Sequence, residues 1–399
     1  MKYAIGGAAF SGNKGASGML ISLMQNIAHY DPDAEFYVLS YYPKSDIPLC
    51  GDAILLNGSP KACLIRFPFA LWTGFARFLH LPRCFWKHGA IGKIADCDFF
   101  LDAAGISFSD GRDKFTIFNI LTILPALVTG RRVIKVSQAL GPFRKWSNRL
   151  LARLFLPRLE MIAARGDKTA EYLKELKLTN VERFSDVTFS LECSADDQKA
   201  ADELLKEIPS GKTIIGISPS QVVYQLCSEA GKDYLGELET VVRELSRRGL
   251  HCVIFPHSAR FHTDKRHNND LPVLREFAAR LAGLGNVTVI DRELDARVLR
   301  MLIGRMTLLL ASRFHAIVSA MAVGVPTVAA GWSHKYAEVL APFAMDRQVM
   351  AYDAFTAEKA LAALDELMAH RDEIGKRIQT TADGIRRDNQ RFFERFKTN

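Results

Sequence analysis

Arg313 and His315 stand two residues apart within Leu308–Trp332, a stretch that reads as strand, tight turn, helix, Gly324-Val325-Pro326 and a further strand. Ser312, Arg313, Phe314 and His315 take the turn and the first helical positions, where backbone N–H groups without helical partners and the helix dipole favour an anion. Arg313 adds a planar fork suited to carboxylate or phosphate. His315 can exchange a proton near neutral pH. The competing reading pairs Arg313 with a structural carboxylate and gives His315 a capping role; the coincidence with Gly-x-Pro, Trp332 and Lys335 favours the anion site. Asn13 and Gly15, in the Gly12–Gly18 loop, either line a site or only shape a turn; the loop is neither Gly-x-Gly-x-x-Gly nor a P-loop. His257 opens a basic, histidine-rich loop with Arg260, His262, Lys265, Arg266 and His267. No acidic or Cys partner sits there at ligand spacing, so a phosphate contact is expected in preference to a metal, with a merely solvated loop as the alternative.

The elements that must position these groups alternate. Tyr3–Ala9 reads as a strand, Ser11–Gly18 as a turn, Met19–His29 as a helix and Phe36–Tyr41 as the next strand, which opens a parallel α/β unit. Strands at Phe99–Asp102 and Val133–Ser137 also end in polar or glycine residues. Open α/β sheets hold ligands beyond the carboxyl ends of their strands, so Asn13, Asp102 and Gln138 are expected on one rim. Glu192–Lys212 turns polar and ends in Pro209-Ser210-Gly211, a linker signal. The pattern then restarts with strands at Thr213–Ser218, Cys252–Pro256, Val287–Ile290, Leu308–Ala311 and Thr327–Ala330. The expectation is an α/β chain of two Rossmann-like domains facing across a cleft, residues 1–190 and 191–355, with 356–399 as helices packing the halves together.

The composition, 48% hydrophobic and 24% charged over 399 residues, fits a soluble globular protein and excludes a disordered, collagenous or disulfide-scaffold chain. The net charge of +8 is uneven: residues 1–190 hold 24 basic and 16 acidic side chains, the remainder 28 of each. Ala53–Ala95 has six basic residues and no acid, and Lys114–Leu159 nine and none. An anionic partner on that half is expected. Seven cysteines without Cys-x-x-Cys spacing, and a start that leads straight into a strand, point to a reducing cytoplasm and no metal site. Phe115–Val128, the best apolar run, is shorter than the ~20 residues of a membrane span and reads as a buried helix. Residues 64–88 mix two Trp and five Phe with Arg66, Arg77, Arg83 and Lys87. They suit either adsorption at the inner face of a membrane or a helical hairpin packing its rings on the N-terminal domain. No recognition helix or nucleic-acid motif occurs, so a nucleic-acid partner is not expected.

Six motifs in order carry a resemblance. Ser312-Arg313-Phe314-His315-Ala316 with Gly324-Val325-Pro326 and Trp332-Ser333-His334-Lys335-Tyr336, Asp98–Asp110, Gln138-Ala139-Leu140-Gly141-Pro142, Ala164-Arg165-Gly166-Asp167, Ser185-Asp186-Val187 and Phe255-Pro256-His257-Ser258 resemble those of the polysaccharide pyruvyl transferase family. The resemblance implies a fold like that of GT-B glycosyltransferases and transfer of a pyruvyl group from phosphoenolpyruvate to a saccharide as a ketal. Phosphoenolpyruvate would be a co-substrate, with no further cofactor. The acceptor would be a cell-surface polysaccharide or a polyprenyl-phosphate-linked precursor. It implies His315 as general acid, Arg313, Ser312 and Lys335 on the donor with Ser218, Ser220 and His257, and Asn13, Gly15, Asp102, Gln138 and Asp186 on the acceptor side or in the cleft. Asp102, Asp186 and His257 are alternative bases. Two positions depart from the family pattern: Ala16 stands where an Asp is common, and Ser218-Pro219-Ser220 where many members have an Arg, for which Lys14 or Lys335 would compensate. A nucleotide-sugar glycosyltransferase of the same fold, or a non-catalytic glycan-binding relative, are the alternatives; the Glu-x7-Glu pair of retaining glycosyltransferases is absent.

Overall fold

The computed structural model describes residues 1–260, 266 and 269–398. They form two units: Met1–Ser11 with Ala16–Leu191 and the residues from Asp388 onward, and Gly12–Gly15 with Glu192–Arg387. Strands are numbered along the chain. The first unit holds β1 (Lys2–Gly6), then, after β2 (Gly12–Asn13) of the second unit, β3 (Glu35–Ser40), β4 (Ile54–Asn57), β5 (Phe99–Asp102), β6 (Ile106–Ser107), β7 (Arg132–Leu140), β8 (Met161–Arg165) and β9 (Val181–Phe184). Its parallel sheet runs β4-β3-β1-β5-β7-β8-β9, with the short β6 on β7. The second unit holds β10 (Ile214–Ser218), β11 (His251–Ile254), β12 (Ser258–Ala259), β13 (Val287–Val289), β14 (Leu308–Ala311), β15 (Thr327–Gly331) and β16 (Val349–Ala351). Its sheet runs β13-β11-β10-β14-β15-β16, all parallel. Ranked by chain order, each sheet begins 3-2-1-4-5-6, the doubly wound Rossmann order, whose reversal point lies between β1 and β5 in one unit and between β10 and β14 in the other.

The sequence dictates this because the central strands are mostly apolar, with polar residues toward their carboxyl ends. Phe-Phe-Leu-Asp of β5 and Leu-Leu-Leu-Ala of β14 are buried at every position, the pattern of parallel strands covered on both faces. On one face of the first sheet, Met19, Leu20, Leu23 and Ile27 of the helix Lys14–Tyr30 pack with Phe392, Phe393 and Phe396 onto Tyr3, Leu101 and Ile134. On the other, Ile120, Ile123 and Ala126 of the helix Asp113–Val128 meet Ala4, Leu39 and Phe100. Each large side chain so buried contributes about 1.5–3 kcal/mol.

The structure departs from the sequence expectation in four places. The first helix begins at Lys14 and not at Met19, because Gly12–Asn13 pairs with β12 and the Asn13 Oδ1 accepts the Gly15 N–H at 3.0 Å, which starts the helix early. β4, β16 and a helix at Gln221–Glu229 were not legible in the sequence pattern. The helix Ala357–Ala369 belongs with the second unit, where the Glu237 carboxylate accepts the Ala357 N–H at 2.6 Å. Residues 64–88 form a helix, Pro60–Phe78, and a short turn, Arg83–Phe85, whose rings are largely exposed and not packed inward. Among the described residues no helix is long and apolar enough to cross a membrane.

Candidate active site

The second unit gathers the chemistry at its reversal point. Ser218 closes β10 opposite Ala311 of β14, and the Ser312 N–H donates to the Ser218 carbonyl at 2.9 Å. Each strand runs directly into a helix: Ser220 caps Gln221–Glu229, and Arg313 is the N-cap of Phe314–Ala322. Two helix N-termini therefore open at the ends of neighbouring parallel strands, an arrangement that favours an anion. The Ser218 hydroxyl and both polar atoms of the Gln221 amide are buried without a hydrogen-bond partner among the described residues. Buried polar groups are nearly always satisfied, so such atoms mark where a ligand would be held.

Arg313 is not a free cation. Its Nε lies 2.9 and 2.7 Å from the two carboxylate oxygens of Asp270, and Nη2 also donates to Asp270. Asp270 is fully buried and accepts the N–H groups of Gln221 at 2.9 Å and Ser258 at 3.0 Å. Burial opposes the charge of Arg313, but the facing carboxylate outweighs it and holds the guanidinium firmly protonated. The pairing fixes the plane of the fork and leaves Nη1 outside it. His315 does not cap its helix, and no side chain does. Its imidazole lies flush against Gly15, where a Cβ would fall 2.0 Å from Nδ1 and 2.2 Å from Cγ. Phe314 meets the ring edge-on at 5.1 Å.

His257, between β11 and β12, is buried. Burial first, then the neighbouring His315 and Arg313, push its pKa well below the ordinary histidine range, so it is a neutral imidazole near the Arg313 guanidinium. Ser312 is held by the buried Tyr234, hydroxyl to hydroxyl at 2.7 Å, and its carbonyl accepts the Tyr336 hydroxyl at 3.0 Å. Lys335 starts the helix Lys335–Leu340, half-buried. Lys14 is buried, with Nζ 2.6 Å from Glu293, which also accepts the Gly12 N–H at 3.2 Å. Lys14 is thus already neutralised. Asn13 pairs with Ser258 in the β2–β12 ribbon. Ala16 packs at the edge of the first unit's core. His262, Lys265 and His267 lie outside the described residues.

Asp102, Gln138 and Asp186 belong to the first unit. Asp102 is fully buried, 2.6 Å from Lys135 Nζ and 2.8 Å from the Asn119 amide. Lys135 also donates to Asn119 at 2.8 Å, Ser107 at 3.1 Å and Gln138 at 3.2 Å, while Gln138 donates to the Asp102 carbonyl at 2.6 Å. Asp186 caps the turn Val187–Ser190 and pairs with Arg165 at 2.7 Å. Both carboxylates are committed to structure; of the three candidate bases, His257 is the one without an ion-pair partner among the described residues, held neutral but reluctant to take up a proton. Asp270, Gln221, Glu293 and Lys135 were missed in the sequence. Lys135 had a signal, a lone charge inside the buried strand Val133–Ser137; Asp270 had a fainter one, preceding Leu271-Pro272 at a helix start.

The profile of the polysaccharide pyruvyl transferase family matches residues 13–334, a span that takes in Gly15, His257, Asp270, Arg313 and His315. The chain belongs to the polysaccharide pyruvyl transferase family. As a member of the polysaccharide pyruvyl transferases it is a transferase of polysaccharide modification. None of the curated proteins matches it in sequence. Among solved structures it is similar to a UDP-N-acetylglucosamine 2-epimerase, so designated, from Listeria monocytogenes (TM-score 0.59, 13% identity, 100% of this chain and 97% of that one). It is also similar to the Anabaena protein HepE in complex with UDP and glucose (0.55, 12%, 99% and 97%) and to E. coli ADP-heptose heptosyltransferase II (0.50, 14%, 93% and 100%). These likenesses concern the fold: this pyruvyl transferase family member has the two Rossmann-like domains of the GT-B class.

Proposed function

We propose that the chain moves a pyruvyl group from phosphoenolpyruvate to two hydroxyls of a saccharide, forming a cyclic ketal and releasing phosphate. The observation that supports this most is the meeting, at one reversal point, of two helix N-termini, the fixed Arg313 fork and the pair His257 and His315. The donor carries a carboxylate and a phosphate, which such a site suits. His315 gives a proton to the methylene carbon of the enol, making the methyl group and leaving cationic character at the adjacent carbon. A first saccharide hydroxyl bonds to that carbon and loses its proton to neutral His257; a second hydroxyl bonds there as the C–O bond to phosphate breaks, and its proton leaves with the phosphate or by the same base. Asp270 positions Arg313, and Gly15 seats His315. Lys335 and Ser312 belong to the donor side, and a lipid-linked glycan is the acceptor class we favour.

Isotope-labelled phosphoenolpyruvate, incubated with cell-envelope glycolipid and the purified protein, should yield labelled glycan and one inorganic phosphate per label. A thermal-shift panel of phosphoenolpyruvate against nucleoside diphosphates and nucleotide sugars tests the donor separately. Stabilisation by a nucleotide sugar alone would replace this reading with glycosyl transfer.

A further inference from the structure

Among the described residues, every large apolar side chain that is well exposed lies between Ile47 and Leu154, in the first unit. We infer that this unit carries a face that seats on an anionic lipid bilayer. The helix Pro60–Phe78 is amphipathic in reverse. Its buried stripe is Cys63, Ala70, Thr73 and Ala76, small side chains that let it lie close on the helix Asp113–Val128. Cys63 Sγ is 3.9 Å from Thr122 Oγ1, and a Cβ on Gly74 would come within 3.3 Å of Val128. The bulky residues face outward: Phe69 is 61% exposed, Phe75 53% and Phe78 79%. The helix Trp146–Phe155 repeats the theme, burying Asn148 and Ala152 while Trp146 is 73% exposed and Leu150 and Leu154 stand beside the exposed Arg149 and Arg153.

Topology puts these helices together. β4, β5, β7 and β8 succeed one another across the sheet in one direction, apart from the step over β3 and β1, and right-handed crossovers then place their connecting helices on one face. Exposed apolar area of this extent marks a binding surface. Its charge selects the occupant: Arg83, Arg149, Arg153 and Arg158 are exposed beside these rings, and the stretches Ala53–Ala95 and Lys114–Leu159 that supply them contain no acidic residue. A second copy of the same face would oppose like charges across a two-fold axis, whereas anionic headgroups complement them. Arg66 and Arg77 turn inward, donating to the Asn57 and Val128 carbonyls at 2.5 Å each, so the headgroup contacts fall to Arg83, Arg149, Arg153 and Arg158. Aromatic and aliphatic side chains interleaved with arginine, on helices that do not span, describe interfacial seating. The inference goes beyond the donor chemistry and stands whether or not phosphoenolpyruvate is the donor.

Vesicle flotation tests it, comparing phosphatidylglycerol/phosphatidylcholine with phosphatidylcholine alone at low and high salt. The protein should float with the anionic vesicles and be released by salt. Each basic residue near such a surface contributes roughly fivefold in affinity, so Arg149→Glu with Arg153→Glu should weaken binding at least about tenfold, as should Phe75→Ser with Phe78→Ser, with thermal melts unchanged because all four side chains are exposed. No flotation, or flotation that neither pair alters, overturns the inference. A concentration-dependent dimer in sedimentation velocity that Phe75→Ser with Phe78→Ser dissolves would assign the face to a second copy and overturn it as well.

Discussion

Gly15→Ala is the sharpest test of the site. The new Cβ would fall 2.0, 2.2 and 2.6 Å from Nδ1, Cγ and Cε1 of His315, where carbon contacts settle near 3.5 Å. The imidazole must therefore retreat by roughly 1.5 Å, since Gly15 is at the start of a helix whose backbone is held by the β2–β12 ribbon and by Asn13. A misplacement of about 1 Å at a reacting group costs on the order of a hundredfold in rate, or about 2.7 kcal/mol in the barrier. The assay is phosphate release from phosphoenolpyruvate in the presence of acceptor, with donor affinity by calorimetry and a thermal melt alongside. The expected result is a rate about a hundredfold lower with the fold retained. Gly285→Ala is the control, since a Cβ there meets nothing within 4 Å and its backbone needs no left-handed conformation. Wild-type turnover in Gly15→Ala would refute the argument that the glycine exists to seat His315, and equal losses in both variants would refute its specificity.

Asp270→Asn leaves the Arg313 guanidinium buried without its carboxylate and should destabilise the fold by about 3–5 kcal/mol in urea titration, with weaker donor binding; a change under about 1 kcal/mol would mean the pair is solvated. Lys135→Met should cost a similar amount by stranding Asp102, and adding Asp102→Leu should restore most of it, as replacing both members of a buried pair commonly does. Acid should weaken the protein through His257. Its folded pKa is depressed, so its contribution is complete above the ordinary value of 6.5 and is lost as pH falls below it, because the unfolded chain then takes up a proton the folded one refuses. For this one group the slope is about 1.4 kcal/mol per pH unit, and His251, also lowered by burial, adds in the same direction. Denaturation of His257→Asn between about pH 5 and about pH 7 should give a shallower slope, and an identical slope would contradict the assignment.

The alternation of apolar strands and amphipathic helices was legible because a parallel strand buried on both faces is mostly apolar, as β14 is along its length and β5 is up to Asp102. The turn from β14 into the helix at Phe314 was legible for the same reason, with Arg313 and His315 standing out against it. Partners were not. Asp270 lies 43 residues before Arg313, and nothing in local spacing says which carboxylate a buried arginine will find. The role of Gly15 was equally hidden, since its need for no side chain arises from a ring 300 residues further along the chain. The exposed rings of Pro60–Phe78 were ambiguous in sequence, because a helix with small residues on one stripe and bulky ones on the rest reads as amphipathic whichever stripe is buried.

The two units share one strand order, yet the polar groups at their reversal points differ in how far they are satisfied. Beyond β1 and β5 the polar groups satisfy one another: Lys135 is surrounded by Asp102, Asn119, Ser107 and Gln138, all buried, and Gln138 returns a bond to the Asp102 carbonyl. Burial lowers the pKa of Lys135 against the pull of Asp102, and a network so completed holds the loop after β5 in place but has no bond to spare for a substrate. Beyond β10 and β14 the Ser218 hydroxyl and the Gln221 amide are buried and lack a partner among the described residues, next to a guanidinium with one nitrogen outside its ion pair and an imidazole kept neutral. Leaving such groups unpaired costs about 1–3 kcal/mol each. A sequence retains that cost where binding recovers it, which supports the proposed placement of the donor in the electrically neutral second half of the chain. Under the same proposal the +8 excess of the first half falls to the acceptor and the surface that carries it.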